Sequence, residues 1–149
     1  MKRNIDEPSS RNNPLSIQDC AEMARIIQDI EPACLAAYGV RSSSDLKWEW
    51  GQEPLPWSIP EIMRFIHGSI ELGFVLDDYE MADLVDLKEI NRDPQEFVGC
   101  MGISEIRWFI HTVQRADKWA DCYASPVLEC LASGALQLAG KRLAEFPVI

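Results

Sequence analysis

Three side chains that could bind an anion recur at helical spacing in the second half of the chain. Arg107, His111 and Arg115 are four residues apart, so a helix would place them in one row. The apolar positions of this segment would form the opposite, core-facing side: Ile106, Ile110 and Val113. A phosphate or a carboxylate-rich segment could then bind along the row. Alternatively, the three side chains pair with acids of this chain, such as Asp117 or Asp121.

Three tryptophans lie in the least regular stretch of the sequence, residues 40–57, among glycine and proline: Trp48, Trp50 and Trp57. The order Trp48-Glu49-Trp50 alternates as a short strand would, but one strand does not make a sheet. The aromatic side chains either hold this loop against the core or form exposed anchors for another protein. Both interpretations are compatible with the residue pattern.

A strongly acidic stretch follows. Nine acidic residues and only two basic ones, Lys88 and Arg92, lie between Asp77 and Glu105. Several of the acids recur at spacings that would line the solvent side of a helix. The acidic face is predicted to comprise Asp77, Asp78, Glu80, Asp83, Asp86, Glu89 and Asp93. Such a face either only keeps the protein hydrated or docks on a basic partner.

The sequence shows no pattern typical of catalysis or of a metal site. The only histidines are His67 and His111, and no nucleophile elbow, phosphate-cradling glycine loop or Cys-x2-Cys pair is present. Cys122 and Cys130 are eight residues apart with Pro126 between them, and buried small side chains explain them better than zinc does. We therefore predict no catalytic residue, no metal, no cofactor and no enzyme activity.

Apolar periodicity and capping residues predict the elements that must position these side chains. Ser16 is expected to cap a helix that ends near Glu31, where Pro32 disturbs it before a short helical piece stops at Gly39. The next predicted helix has Ser58 as its cap and ends at Gly73, and another runs from near Asp78 to near Asn91. A further helix has Ser104 as its cap and ends near Asp117. The last two run from near Ser125-Pro126 to Gly134 and from Ala135 to Phe146. A short turn or helix after Asp93-Pro94 is expected to hold Phe97 and Val98.

These elements predict a mainly α fold, an irregular bundle of about six helices with little or no β-structure. Residues 1–14 are polar and contain two prolines, so they are predicted to form a flexible arm. Residues 15–149 are predicted to form a single helical domain, since an apolar fraction of 47% can supply one core.

Composition limits the classes of partner. The net charge of -10 disfavours direct binding to DNA or RNA because the phosphate backbone would be repelled. No apolar run approaches the roughly 18 residues of a membrane span. The five cysteines are odd in number, and the polar residues after Met1-Lys2-Arg3 do not resemble a signal peptide. Free thiols in a bacterial cytoplasm, or in the host cytoplasm for a phage protein, are expected.

Five segments resemble the DUF6508 family, a bacterial domain family of unknown function: residues 65–75, 103–107, 113–121, 133–136 and 141–143. The third contains an arginine, acidic, basic and aromatic pattern that includes Arg115, Asp117, Trp119 and Asp121. The resemblance spans roughly residues 58–146. It implies a helical fold and a bacterial, phage or plasmid origin, and it implies no reaction.

Two functions from different classes remain. The leading hypothesis is an acidic protein-binding module that docks on a basic protein surface, such as a nucleic-acid-binding protein whose groove it blocks. By analogy with the family setting, its role would be that of an anti-CRISPR-like inhibitor of host defence, or of an immunity or antitoxin partner. The alternative is a small-ligand module that recognises an anionic metabolite or nucleotide through Arg107, His111 and Arg115.

Overall fold

The computed structural model describes residues 14–49, 51–76, 85–118 and 125–147. These residues form seven α-helices and two short 3-10 helices, and no strand occurs among them. The α-helices are α1 (Ile17–Tyr38), α2 (Pro60–Glu71), α3 (Leu87–Arg92), α4 (Pro94–Phe97), α5 (Ile103–Lys118), α6 (Pro126–Ser133) and α7 (Ala135–Ala144). The 3-10 helices are Ser43–Asp45 and Pro56–Ser58. The predicted mainly α fold is confirmed; residues 1–13 of the predicted arm lie outside the described ranges.

Helix α1 begins and ends where its capping residues predict. The Ser16 hydroxyl accepts a hydrogen bond from the Asp19 N–H at 3.0 Å, and the Asp19 carboxylate accepts one from the Ser16 N–H at 3.4 Å. Gly39 ends the helix with a φ of 68°. The predicted break at Pro32 is wrong, because the helix continues through it. Ile30 and Cys34, on either side of it, are fully buried, and this packing outweighs the roughly 3 kcal/mol that proline costs inside a helix.

Two predicted helix starts and the extent of a third predicted helix are also wrong, for local reasons. Ser58 lies in the second 3-10 helix, and α2 begins at Pro60, whose fixed φ suits a first turn. The expected start near Asp78 lies outside the described residues, and the helix expected from there does not run through Asp86, which is extended and caps α3 from outside. Ser104 lies within α5, which begins at Ile103 and so two residues before the first helical residue that a Ser104 cap implies. The Glu105 carboxylate accepts a hydrogen bond from the Gly102 N–H at 3.2 Å and satisfies this donor at the helix start. The predicted starts at Ser125-Pro126 and Ala135 are confirmed.

The core forms where α1 packs against α2 and α7, with α5 against α2 and α6. Gly68 of α2 and Gly140 of α7 face two consecutive residues of α1: an added Cβ would lie 2.9 Å from Ile26 and 2.9 Å from Ile27, respectively. These two glycines therefore let α1 approach both neighbouring helices closely. The predicted core face of α5 is confirmed, since its members are all fully buried: Ile106, Phe109, Ile110 and Val113. Among the residues described, no helix combines the length and the apolar character needed to cross a membrane.

Candidate functional site

The tryptophan loop is attached to the core at one end and exposed at the other. Leu46 follows the first 3-10 helix and is only 3% exposed, so it anchors the segment. Trp48 is half-buried against the core, and its ring centre lies 6.4 Å from that of Trp57 with the planes inclined by 58°. Trp57 itself is 40% exposed. Trp48 thus matches the packing interpretation of the loop and Trp57 the anchor interpretation, while Trp50 lies outside the described residues.

A hydrogen bond ties this loop to the end of α1. The Tyr38 hydroxyl donates to the Pro54 carbonyl at 2.7 Å. Burial raises the pKa of Tyr38 to about 12, and the nearby Cys34 adds to the effect. The phenol therefore remains a neutral donor at physiological pH, and it positions the segment that leads from Trp48 to Trp57.

An open cleft of about 700 Å³ lies between the loop and the helices α3 and α6. It will be called the Trp48 cleft. Its lining comprises Leu46, Lys47, Trp48, Glu49, Lys88, Asn91, Glu129, Ala132 and Ser133. Four of these residues are charged and exposed: Lys47, Glu49, Lys88 and Glu129. The cleft therefore combines an aromatic wall with two cations and two carboxylates at its rim.

The polar groups on the inner side of the Trp48 cleft are already bonded within the protein. The Ser133 hydroxyl donates to the Asn91 side-chain oxygen at 2.8 Å and accepts from the Ala135 N–H at 3.2 Å. Desolvation raises the pKa of the buried Cys130 thiol to about 12, and a hydrogen bond with Asn91 opposes this rise. The Cys130 thiol is therefore neutral at physiological pH. Any ligand of the cleft would meet mainly Trp48 and the charged rim.

The described members of the predicted acidic face have local structural roles. Asp86 accepts hydrogen bonds from the Lys88 and Glu89 N–H groups at 3.0 and 3.3 Å and so caps α3. Glu89 pairs with Arg92, and Asp93 accepts from the Glu96 N–H at 3.2 Å at the start of α4. The expectation that these three share one helical face is wrong, because two of them are caps of successive helices. The other members lie outside the described residues: Asp77, Asp78, Glu80 and Asp83.

The predicted cationic row on α5 is directed toward the protein interior. His111 is completely buried, and its Nδ1 accepts a hydrogen bond from the Leu76 N–H at 2.9 Å. Desolvation, followed by the positive charge of Arg115, lowers the pKa of His111 to about 4. The imidazole is therefore neutral at pH 7, and its ring packs edge-on against Trp108 at 5.4 Å. The prediction that this side of α5 faces solvent is wrong for His111.

Arg107 performs a similar positioning task one turn earlier. Its Nε and Nη2 atoms donate to the Gly73 carbonyl at 2.9 and 2.7 Å. Desolvation lowers the pKa of this guanidinium, against the opposing influence of Cys20 and Asp19. Arg107 and His111 together hold the segment from Gly73 to Leu76, directly after α2. This geometry assigns both residues to the structure of that segment and gives no support to an anion site along the row.

Asp117 holds the beginning of α6. Its carboxylate accepts hydrogen bonds from the Ser125 hydroxyl and the Val127 N–H, both at 3.2 Å. Desolvation raises its pKa, and the two hydrogen bonds oppose the rise. The prediction that Arg115 bridges the turn after α5 stays a prediction, since Trp119 and Asp121 lie outside the described residues.

Sequence reasoning identified Trp48 but missed the other walls of the cleft. Lys88, Asn91 and Glu129 come from α3 and α6, and nothing in their local patterns indicates that these two helices meet beside the loop. A weak signal was available in the alternation Leu46-Lys47-Trp48-Glu49. A segment that turns every second side chain inward is typical of a chain lying along a core.

Within the described ranges, no three His, Cys, Asp or Glu side chains are grouped as metal ligands would be. The described cysteines are all free thiols: Cys20, Cys34, Cys100 and Cys130. No known family model, curated protein or solved structure matches this chain.

Proposed function

We propose that this chain is a protein-binding module that docks on a basic surface of another protein, as an inhibitor or immunity-type partner. The observation that carries the proposal is the tryptophan pair Trp48 and Trp57, whose ring centres lie 6.4 Å apart. Trp57 is one of three large hydrophobic residues with exposed side chains in the described part of the chain, the others being Ile17 and Ile70. Tryptophans at protein surfaces are the residues that most often dominate binding energy.

Charge supports a basic partner. The net charge of -10 creates a negative field that speeds the approach of a cationic protein. The local roles of Asp86, Glu89 and Asp93 make the acidic face a weaker candidate for specific contacts than the loop, since their carboxylates are already engaged. The field then provides long-range attraction, and the tryptophans provide the short-range contact.

The anionic-metabolite alternative has no observation in its favour at the row where it was expected. In this row, His111 is buried and neutral, and Arg107 donates a hydrogen bond to the Gly73 carbonyl. A nucleotide that nevertheless bound there would raise the free energy of unfolding at saturating concentration by a few kcal/mol. A thermal-shift series over nucleotides would detect it.

The proposed function is tested by capture from a bacterial lysate with the immobilised chain and its variants. We expect wild type to retain one basic protein reproducibly, with retention that falls as salt is raised. Trp57→Ala should lower the retained amount at least about tenfold, because it removes an aromatic anchor. Ile17→Ala, at a still more exposed apolar position on α1, is the control and should leave retention unchanged.

Circular dichroism verifies that each variant remains helical. The proposal is wrong if wild type retains nothing above the blank matrix. It is also wrong if Trp57→Ala and Ile17→Ala lower retention equally, because a general loss of surface stickiness would then explain both.

A further inference from the structure

We propose that the Trp48 cleft receives an arginine side chain of the partner, with the guanidinium against the Trp48 indole and between Glu49 and Glu129. This inference rests on the proposed function and names the chemistry of the partner's contact. It follows from the composition of the cleft, in which an aromatic wall and carboxylates from two separate elements line one open space.

A cation is favoured by the indole face and by the overall charge, whereas the two lysines and two glutamates that line the cleft balance each other. The face of an indole attracts cations through its quadrupole. Glu49 lines the cleft from the loop and Glu129 from the first turn of α6, so a cation inside it would meet carboxylates from two separate elements. The net charge of -10 adds a long-range attraction for a basic segment and a repulsion for phosphate-bearing ligands.

A guanidinium fits the cleft better than an ammonium does. It is planar, so it can stack on Trp48, and its donors form two parallel hydrogen bonds to a carboxylate. It is also more weakly hydrated than the lysine head group, so less free energy is lost when it leaves water. The Asn91 and Ser133 side chains hydrogen-bond each other, and the proposed contact uses the indole and the rim carboxylates.

The two lysines at the rim determine which residues can flank the arginine. Lys47 and Lys88 line the same cleft and would repel a second cation placed beside the first. A neighbouring aspartate or glutamate in the partner would instead be attracted to them. The expected segment therefore contains an arginine next to an acidic residue, and a continuous run of basic residues is disfavoured.

The proposal is tested with a defined peptide, acetyl-Gly-Ser-Gly-Arg-Asp-Ser-Gly-amide, at 150 mM NaCl. Binding is followed by the indole N–H resonances in NMR titration, with the Trp48 signal assigned from its absence in Trp48→Phe. We expect the Trp48 resonance to shift. Replacement of arginine by the uncharged isostere citrulline should weaken binding at least about tenfold, and replacement by lysine about threefold.

Matched variants of the protein separate the cleft from general electrostatics. The double variant Glu49→Gln, Glu129→Gln and the control Glu71→Gln, Glu96→Gln remove the same charge, and all four residues are exposed. The cleft variant should bind the peptide at least about tenfold more weakly, and the control within about twofold of wild type. Lys88→Gln should weaken binding of this peptide but not of its Arg-Ser analogue.

Three results would overturn the proposal: no shift of Trp48, equal affinity for the citrulline peptide, or equal weakening in the cleft and control variants. The proposed function fails separately. A partner whose capture depends on Trp57 but not on Glu49 and Glu129 would support protein binding and reject the arginine contact. Peptide binding without any captured partner would support the cleft chemistry and reject the module's proposed role.

Discussion

At the scale of single residues, the buried His111 shows how a titratable side chain can serve structure. Its Nδ1 accepts the Leu76 N–H, so Nε2 bears the proton of the neutral ring. Protonation of the imidazole would remove the acceptor and place a charge in a buried position near Arg115. The unfolded chain has no such restriction and protonates near the ordinary pKa of 6.5. Folding and the uncharged state of His111 are therefore coupled.

This coupling predicts a loss of stability in mild acid. Because the pKa of His111 falls to about 4 in the folded protein, its contribution is complete above pH 6.5 and is lost as the pH falls from 6.5 to 4. The loss should reach roughly 2–4 kcal/mol. Urea unfolding between pH 7 and pH 4 measures it. Asp117, whose pKa is raised, contributes with the opposite sign, so the comparison must be made between variants.

His111→Gln should lower the free energy of unfolding at pH 7 and make its pH dependence flatter than that of wild type. His67→Gln, at an exposed histidine, should retain the wild-type slope. An unchanged slope in His111→Gln would show that other groups cause the acid sensitivity.

At the scale of elements, two glycines that look alike in sequence have different surroundings. Both lie inside helices and both face α1. At Gly68 the nearest atom is the terminal Cδ1 of Ile26, which can move, whereas at Gly140 both Cγ2 and the branched Cβ of Ile27 are close, at 2.9 and 3.3 Å. The contact at Gly140 is therefore much harder to relieve.

Alanine substitutions should separate the two positions. Gly68→Ala should be neutral or stabilising, because alanine gains up to about 1 kcal/mol of helix propensity. Gly140→Ala should be destabilising, since overpacking costs about 1–3 kcal/mol and exceeds that gain. Denaturant unfolding at constant m-value measures both. Equal effects of the two substitutions would contradict the proposed difference in packing.

At the scale of the whole molecule, the excess of acidic residues should oppose folding by self-repulsion. The described ion pairs are few, and most are exposed: Glu22 with Arg25 and Arg64, Asp29 with Arg64, Glu89 with Arg92, and a 3.9 Å contact between the partly buried Arg142 and Glu145. Exposed pairs contribute little to stability. The repulsion associated with a net charge of -10 should therefore dominate the response to salt.

Raising NaCl from 10 to 150 mM should increase the free energy of unfolding by about 1 kcal/mol, because the screening length falls from about 30 to 8 Å. Glu71→Lys with Glu96→Lys, at exposed positions, reduces the net negative charge and should reduce this gain. A decrease in stability with added salt would mean that attractive pairs outweigh the repulsion.

The sequence by itself determined the helical class, the caps at Ser16 and Gly39, the start of α6 near Ser125-Pro126, and the core face of α5. Those features depend on hydrogen bonds and periodicities that span only a few residues. Only the tertiary structure decided that α1 continues through Pro32, because the burial of Ile30 and Cys34 outweighs a local penalty. It also decided that His111 is interior and that Trp48 forms one cleft with Lys88 and Glu129. These outcomes arise from contacts between residues far apart in the chain, whose energies no local pattern records.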